Sequence, residues 1–157
     1  MLEQVCEFLS SGIPTEMGLE CISVNLSVLQ CLQPDFVKRV MAITKKYEVD
    51  SKYINFEITE SAAASDYDVL SDVLRELRRC GFLFSLDDYG IGYSNVRSIF
   101  SLDFDVIKID KSILWEVHME NEENTSNGHI ILENSVRMLR EMKLKILVEG
   151  VETADQL

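Results

Sequence analysis

The chain has 157 residues, 46% of them hydrophobic and 27% charged, with a formal net charge of −12 and a mean hydropathy of +0.03. This fits one soluble globular domain. The acidity argues against a nucleic-acid polymer or an anionic membrane as partner, and admits an anionic small molecule only if metal ions mask the carboxylates it meets. No window reaches the roughly 18 unbroken apolar residues of a membrane span, and Met1-Leu2-Glu3-Gln4 lacks the basic start of a signal peptide, so a cytoplasmic location is expected.

Leu2, Val5, Cys6 and Leu9 follow helical spacing, and Ser10 to Pro14 ends that first helix. Cys21 to Asn25 reads as a short strand. Pro34 and Asp35 start a helix carrying Phe36, Val37, Val40, Met41 and Tyr47. In the strand Tyr53 to Ile58, Ile54, Phe56 and Ile58 share one face; Asn55, Glu57 and Thr59 share the other. Ser65 and Asp68 resemble a capping box for a helix bearing Val69, Leu70, Val73, Leu74 and Leu77, which Gly81 stops.

The central stretch is Phe82 to Ser94. An apolar strand ends there in Asp87-Asp88, and the glycines Gly90 and Gly92 turn the chain. A short helical segment is expected from about Ser94 to Phe100. Asp105 to Asp110 is a strand with Val106, Lys108 and Asp110 on one face. Residues 116–128 are acidic and weakly patterned, and read as a solvated loop or a frayed helix start. Leu132, Val136 and Leu139 mark a helix to about Met142. Lys145 to Gly150 is the last strand, and Val151 to Ala154 leads into a final helix. Strict alternation of helix and strand with short links argues for a parallel α/β sheet with helical crossovers.

Cys6, Cys21, Cys31 and Cys80 show no C-x-x-C spacing and read as buried free thiols of a reducing compartment. His118 and His129 lack zinc-ligand spacing and read as surface residues.

Each strand ends in a residue that an apolar core would reject: Asn25, Glu57, Asp87, Lys108 and Glu149, at intervals of 32, 30, 21 and 41 residues. In parallel α/β folds the carboxyl ends of the strands line one crevice or barrel mouth, where chemistry sits. Three carboxylates, an amide and an ammonium would converge there with Asp88 beside them. Such an oxygen-rich set suits Mg²⁺ or Mn²⁺, and two such ions can clamp a phosphodiester and lower the pKa of a water. Taken singly, each residue has a structural reading: a turn for Asn25, a wet strand face for Asn55 and Glu57, a helix cap for Asp87 and Asp88, a snorkelling Lys108, and surface or salt-bridge roles for Glu60, Asp110 and Glu152. A barrel enzyme using Lys108 as a Schiff-base nucleophile is a further reading of the residues alone.

Val24-Asn25-Leu26-Ser27, Glu57-Ile58-Thr59-Glu60-Ser61, Asp87 to Ser94, Lys108-Ile109-Asp110-Lys111 and Glu149-Gly150-Val151-Glu152-Thr153 resemble, in order and spacing, the motifs of the EAL domain family. The resemblance spans essentially the whole chain. It implies a (β/α) TIM-like barrel that hydrolyses cyclic di-GMP to linear pGpG with Mg²⁺ or Mn²⁺ in bacterial second-messenger signalling. By position it implies metal ligands at Asn25, Glu57, Asp87 (bridging two ions) and Asp88. Lys108 would position the attacking water, Glu149 would help hold that site, and Glu60 would anchor the glycine loop. Gly90, Gly92, Tyr93, Ser94, Asp110 and Glu152 fall in the loop and substrate segments. Homodimers, and sensory or cyclase domains in a parent chain that can be membrane-anchored, are also implied.

Tyr89 stands where the family usually has Phe, Ile91 for Thr, Asn95 for Ser and Asp103 for Pro. No segment matches the Glu-Ala-Leu strand or the closing Gln-Gly-Tyr strand. Only five strands are countable where a barrel of this type has eight, over typically about 250 residues. Residues 1–157 are therefore expected to form one partial domain with weak or no turnover of its own. A cyclic di-GMP-binding or regulatory dimerisation module is the alternative.

Overall fold

The computed structural model describes residues 1–65, 67–91, 99, 101–119 and 127–154. Five strands, β1 (Ile22–Asn25), β2 (Ile54–Thr59), β3 (Leu83–Tyr89), β4 (Val106–Ile109) and β5 (Lys145–Val148), form one sheet in the order β1-β2-β3-β4-β5, each neighbour pair parallel. Sequential order with right-handed crossovers places the connecting helices on a single face, as in a barrel wall, whereas a doubly wound sheet reverses direction midway. Among the described residues the sheet does not close, and β1 and β5 are its outer strands.

The helices are α1 (Leu2–Ser10), α2 (Ile13–Glu16), α3 (Val28–Cys31), α4 (Phe36–Lys46), α5 (Glu60–Ser65), α6 (Tyr67–Arg79), α7 (Lys111–Met119) and α8 (Asn127–Glu141). Alternation divides each strand's side chains between the two faces. Val24, Ile54, Phe56, Ile58, Phe84, Leu86, Ile107 and Ile109 are buried toward the helices, against Leu70, Leu74 and Leu77 of α6 and Leu139 of α8. Phe56 packs its ring 5.3 Å from Phe82 and 6.1 Å from Phe84. The opposite face carries Ser23, Asn25, Asn55, Glu57, Ser85, Asp87 and Lys108. Sliding any strand by one residue would drive these polar groups into the helix layer, which fixes the register.

Local expectations fare unevenly. The capping box expected at Ser65 and Asp68 falls on a Ser65 side chain outside the described residues, with Ser65 the last residue of α5. A capping box forms at α3, where the Gln30 amide donates to Ser27 Oγ at 3.4 Å and the Ser27 amide donates to Gln30 Oε1 at 3.0 Å. Helix α7 runs through residues 116–119, the start of the stretch expected as a solvated loop or a frayed helix start, because Ile113 and Leu114 supply buried anchors ahead of it; residues 120–126 lie outside the described residues. The segment from Ser94 to Phe100 lies outside the described residues except Ile99, and the final helix after Ala154 lies outside them altogether. All four cysteines are free, with Cys6 and Cys31 buried and Cys21 and Cys80 half-buried. His129 is exposed, and the His118 side chain is not described. No helix is long and apolar enough to cross a membrane among the described residues.

Where α6 meets the sheet, Arg78 binds Asp105 through both guanidinium nitrogens, at 3.2 and 2.9 Å, with the guanidinium 5.3 Å from the Phe84 ring centroid. Asp105 Oδ2 also accepts the Phe84 amide at 2.8 Å. One carboxylate thus ties α6, β3 and the entrance to β4 together. Asp105→Ala strands that amide and leaves the guanidinium only its contacts to Asp103, and should lower unfolding stability by about 1–3 kcal/mol, read as a shift of the urea midpoint with unchanged slope.

Candidate active site

The carboxyl-end rim of the open face is built by register. Asn25 pairs with Glu57 across β1 and β2, and Thr59 with Asp87 across β2 and β3. Lys108 on β4 extends between them, and Glu149 follows the end of β5 by one residue. Lys108 Nζ lies 2.8 Å from Glu149 Oε1, 2.9 Å from Asp87 Oδ1 and 3.2 Å from Glu57 Oε1. Four of the five expected strand-end residues therefore meet around one nitrogen, and Asn25 stands beside Glu57 with an exposed side chain.

Burial alone would lower the pKa of the Lys108 ammonium. The hydrogen bonds to Asp87, Glu149 and Glu57 outweigh it and hold the group above its ordinary range. Among the described residues no three His, Cys, Asp or Glu side chains are arranged to hold a metal ion, since the ammonium occupies the centre of the carboxylates. The donor set itself fits a hard divalent cation: every acidic group offers oxygen, and the cluster already demands positive charge.

Two adjacent aspartates cannot both face one side of a regular strand, and β3 is not regular. Leu86 pairs with Ile107 and Tyr89 with Ile109, so β3 uses three residues where β4 uses two. The extra residue is accommodated at Asp88, whose φ is +58°, a left-handed conformation that Asp tolerates better than most. The bulge returns Tyr89 to the buried side at 4% exposure. The Asp88 carboxyl is pushed above its usual range by burial first, then by the Asp87, Asp110 and Glu149 carboxylates, with Lys108 opposing. Asp88 thus belongs to the same acidic neighbourhood as Asp87.

The remaining candidates divide. Glu60, the first residue of α5, is 6% exposed and accepts the Gly90 amide on Oε2 at 2.9 Å. It anchors the turn after β3 and does not join the Lys108 cluster. Gly90 has φ +102°, and a Cβ there would come within 2.1 Å of Ile113 Cδ1, so only glycine fits. Asp110, assigned above to the substrate segments, is buried and accepts the Ser112 amide at 2.7 Å, which makes it a cap for α7. Burial opposes ionisation of Asp110, but the bonds from Ser112 and Lys111 hold its carboxyl below the usual range. Glu152 is exposed, three residues beyond Glu149. Gly92, Tyr93 and Ser94 lie outside the described residues. Three polar residues were not singled out as a group from the sequence: Ser23, Asn55 and Ser85, one layer below the rim. Their shared period-2 offset from Asn25, Glu57 and Asp87 was the available signal.

Replacing Lys108 by Met leaves three facing carboxylates without a counter-charge and should destabilise the metal-free chain at pH 7 by about 2–3 kcal/mol. Because folding raises the Lys108 pKa, this contribution is complete below the unfolded lysine value near 10.4 and is lost as pH rises through the folded one. The stability gap between wild type and Lys108→Met should therefore be level from pH 7 to 9 and close at higher pH, measured by urea titration in chelator.

A family model described as EAL domain matches residues 1–157. MucR of Pseudomonas aeruginosa, a bifunctional diguanylate cyclase/cyclic di-GMP phosphodiesterase, is 32% identical over 135 residues, covering 86% of this chain and 19% of MucR. The solved PaMucR phosphodiesterase–c-di-GMP complex superposes with a TM-score of 0.85 at 29% identity, over 99% of this chain and 61% of that one. The probable cyclic di-GMP phosphodiesterase PdeA of Escherichia coli K12 is 30% identical over 157 residues, 99% of this chain and 21% of PdeA. The manganese/cy-diGMP complex of Klebsiella pneumoniae BlrP1 shares the fold, with a TM-score of 0.80 at 24% identity over 99% of this chain and 38% of that one. The chain spans only 16 to 26% of the length of these and similar curated relatives. With its motifs gathered at one rim of a parallel, singly wound sheet, the chain belongs to the EAL domain family.

Proposed function

We propose that Asn25, Glu57, Asp87, Asp88, Lys108 and Glu149 form the metal-dependent centre of a cyclic di-GMP phosphodiesterase, which cleaves the 3′–5′ phosphodiester to linear pGpG in bacterial signalling. The observation that carries this reading is the convergence of Glu57, Asp87 and Glu149 on one cationic point at the strand ends. The complexes of MucR and BlrP1 with cyclic di-GMP, the latter with manganese, support it.

Asn25, Glu57, Asp87 and Asp88 would hold Mg²⁺ or Mn²⁺. Bound ions of this kind supply a water acidified toward neutral pH and stabilise charge on the phosphoryl oxygens. Lys108 would orient that water from its place between Asp87 and Glu149, and Glu149 would hold Lys108 in turn. Glu60 keeps the Gly90 turn closed against α7, at the start of the segment carrying Gly92, Tyr93 and Ser94. Residues 1–157 would act as part of one larger barrel, in the cytoplasm, as a homodimer and beside sensory or cyclase domains. The open five-stranded sheet supports the larger barrel.

A binding or regulatory dimerisation module without turnover is the second reading. It is favoured by the ammonium's engagement of all three carboxylates, which satisfies them without an ion.

Cyclic di-GMP incubated with Mn²⁺ and a complete barrel that contains residues 1–157, and resolved by anion-exchange chromatography, should yield pGpG, whereas residues 1–157 alone should turn over weakly or not at all. The barrel's rate should be abolished by EDTA and fall at least about a hundredfold in Glu57→Ala. Equal rates in both proteins would remove Glu57 from the mechanism. Nucleotide bound in EDTA with no product on adding metal would favour the module. Asp88→Asn relieves a carboxylate crowded by Asp87, Asp110 and Glu149 while keeping a residue suited to φ +58°. An acid whose pKa folding raises costs stability above its unfolded pKa and costs nothing well below it. The variant should therefore melt higher than wild type at pH 7 without metal, with the gain fading toward pH 3, and should respond less to added Mn²⁺.

A further inference from the structure

Ser23, Asn55 and Ser85 precede Asn25, Glu57 and Asp87 by two residues each, on β1, β2 and β3. Period-2 alternation puts each pair on the same face of its strand, about 7 Å apart. Asn55 Nδ2 donates to Ser85 Oγ at 2.7 Å and to Ser23 Oγ at 3.1 Å. Asn55 is 5% exposed and Ser85 1% exposed.

A parallel sheet fills such positions with valine or isoleucine at no polar cost, whereas a buried amide must find partners. Asn55 finds them on both neighbouring strands, so its bonds run across the sheet directly under three residues whose mutual spacing the rim depends on. Asn55 Oδ1 has no protein partner. The side chain borders a cavity of about 680 Å³ with Leu83, Val106, Lys145 and Leu147. The amide is therefore held by its nitrogen end alone, against the two hydroxyls.

We propose that Asn55 is a positioning residue. Together with Ser23 and Ser85 it sets the separation of Asn25, Glu57 and Asp87, and through Glu57 and Asp87 the seat of the Lys108 ammonium. Its extension to a divalent cation rests on the function proposed above. The main-chain ladder fixes which residues are paired, and the serine–asparagine–serine layer fixes how the side chains above it lean.

The test compares wild type with Ser85→Ala, Ser85→Cys and Asn55→Leu. Folding is followed by circular dichroism and urea titration, and the rim by two readouts that need no turnover. The first is the ¹⁵N ammonium signal of Lys108 in chelator, visible when the group is held and shielded. The second is Mn²⁺ affinity by calorimetry. Cysteine matches serine in size and bonds weakly, so the two Ser85 variants separate hydrogen bonding from volume.

The expected result is a native fold with the Lys108 signal lost or shifted in both Ser85 variants, and Mn²⁺ bound about tenfold more weakly. An unchanged Lys108 signal in folded Ser85→Ala overturns the proposal. So does a Ser85→Cys protein that matches wild type while Ser85→Ala does not, or a wild-type chain that lacks the signal. Should Asn55→Leu fail to fold, the Ser85 pair still decides. A wild type that takes up no Mn²⁺ sinks the metal reading of the rim, while the ammonium signal judges the positioning role separately.

Discussion

Glu57, Asp87 and Glu149 bring carboxylate oxygens within 3.2 Å of a single ammonium nitrogen. Asp88 stands close enough to Asp87, Asp110 and Glu149 for their charges to be felt at its carboxyl. In a chain of net charge −12, the rim thus gathers several acidic groups in one place. At 4 Å two like charges in a partly buried setting oppose one another by about 4 kcal/mol. Lys108 turns that repulsion into attraction, and the metal-free rim holds together through it.

The scaffold that tolerates this cost is the sheet's other face. Ile54, Ile58, Phe84, Leu86, Ile107 and Ile109 are fully buried under the helices, each worth about 1.5–3 kcal/mol over an exposed position. Because the same strands carry apolar residues on one side and acidic residues on the other, burying the first set dictates where the second must point. The register that satisfies the core therefore also assembles the rim. Arg78, Asp105 and the Phe84 amide lock β3 into that register from below, and Glu60 holds the turn above it through the Gly90 amide.

Strand positions, the parallel order and the convergence of Glu57, Asp87, Lys108 and Glu149 were legible in the sequence, because each depends on short-range alternation and on the recurrence of polar residues one βα unit apart. What escaped was set by contacts between segments distant in the chain. Asp110 sits in a motif that suggests substrate, and its capping bond from the Ser112 amide two residues on is set by the start of α7, which the motif alone does not display. The layer of Ser23, Asn55 and Ser85 spans residues 30 and 32 apart, and its only sequence mark is the period-2 offset from the rim residues. The bulge at Asp88 was written as Asp87-Asp88, but only the β4 pairing shows that the strand absorbs an extra residue there. Helix α7 carries little sequence signal because the acidic run after Glu116 masks its pattern, while the buried Ile113 and Leu114 do the anchoring.

The choice of lysine at position 108 follows from counting donors. An ammonium carries three N–H groups in a tetrahedral spread, and three carboxylates approach it from β2, β3 and the end of β5. Every donor is used, and the acceptors come from separate strands. A guanidinium offers five donors in a plane suited to gripping one or two carboxylates edge-on, so it would favour one of the three strands and leave another uncompensated. The surrounding β-strands are short, at four residues in β4 and β5, and the distance from backbone to rim centre is covered by a flexible four-carbon stem. The geometry of the rim and the chemistry of the cation at its centre are thus the same fact: three strands, three acidic oxygens and a point charge with three hydrogens to give.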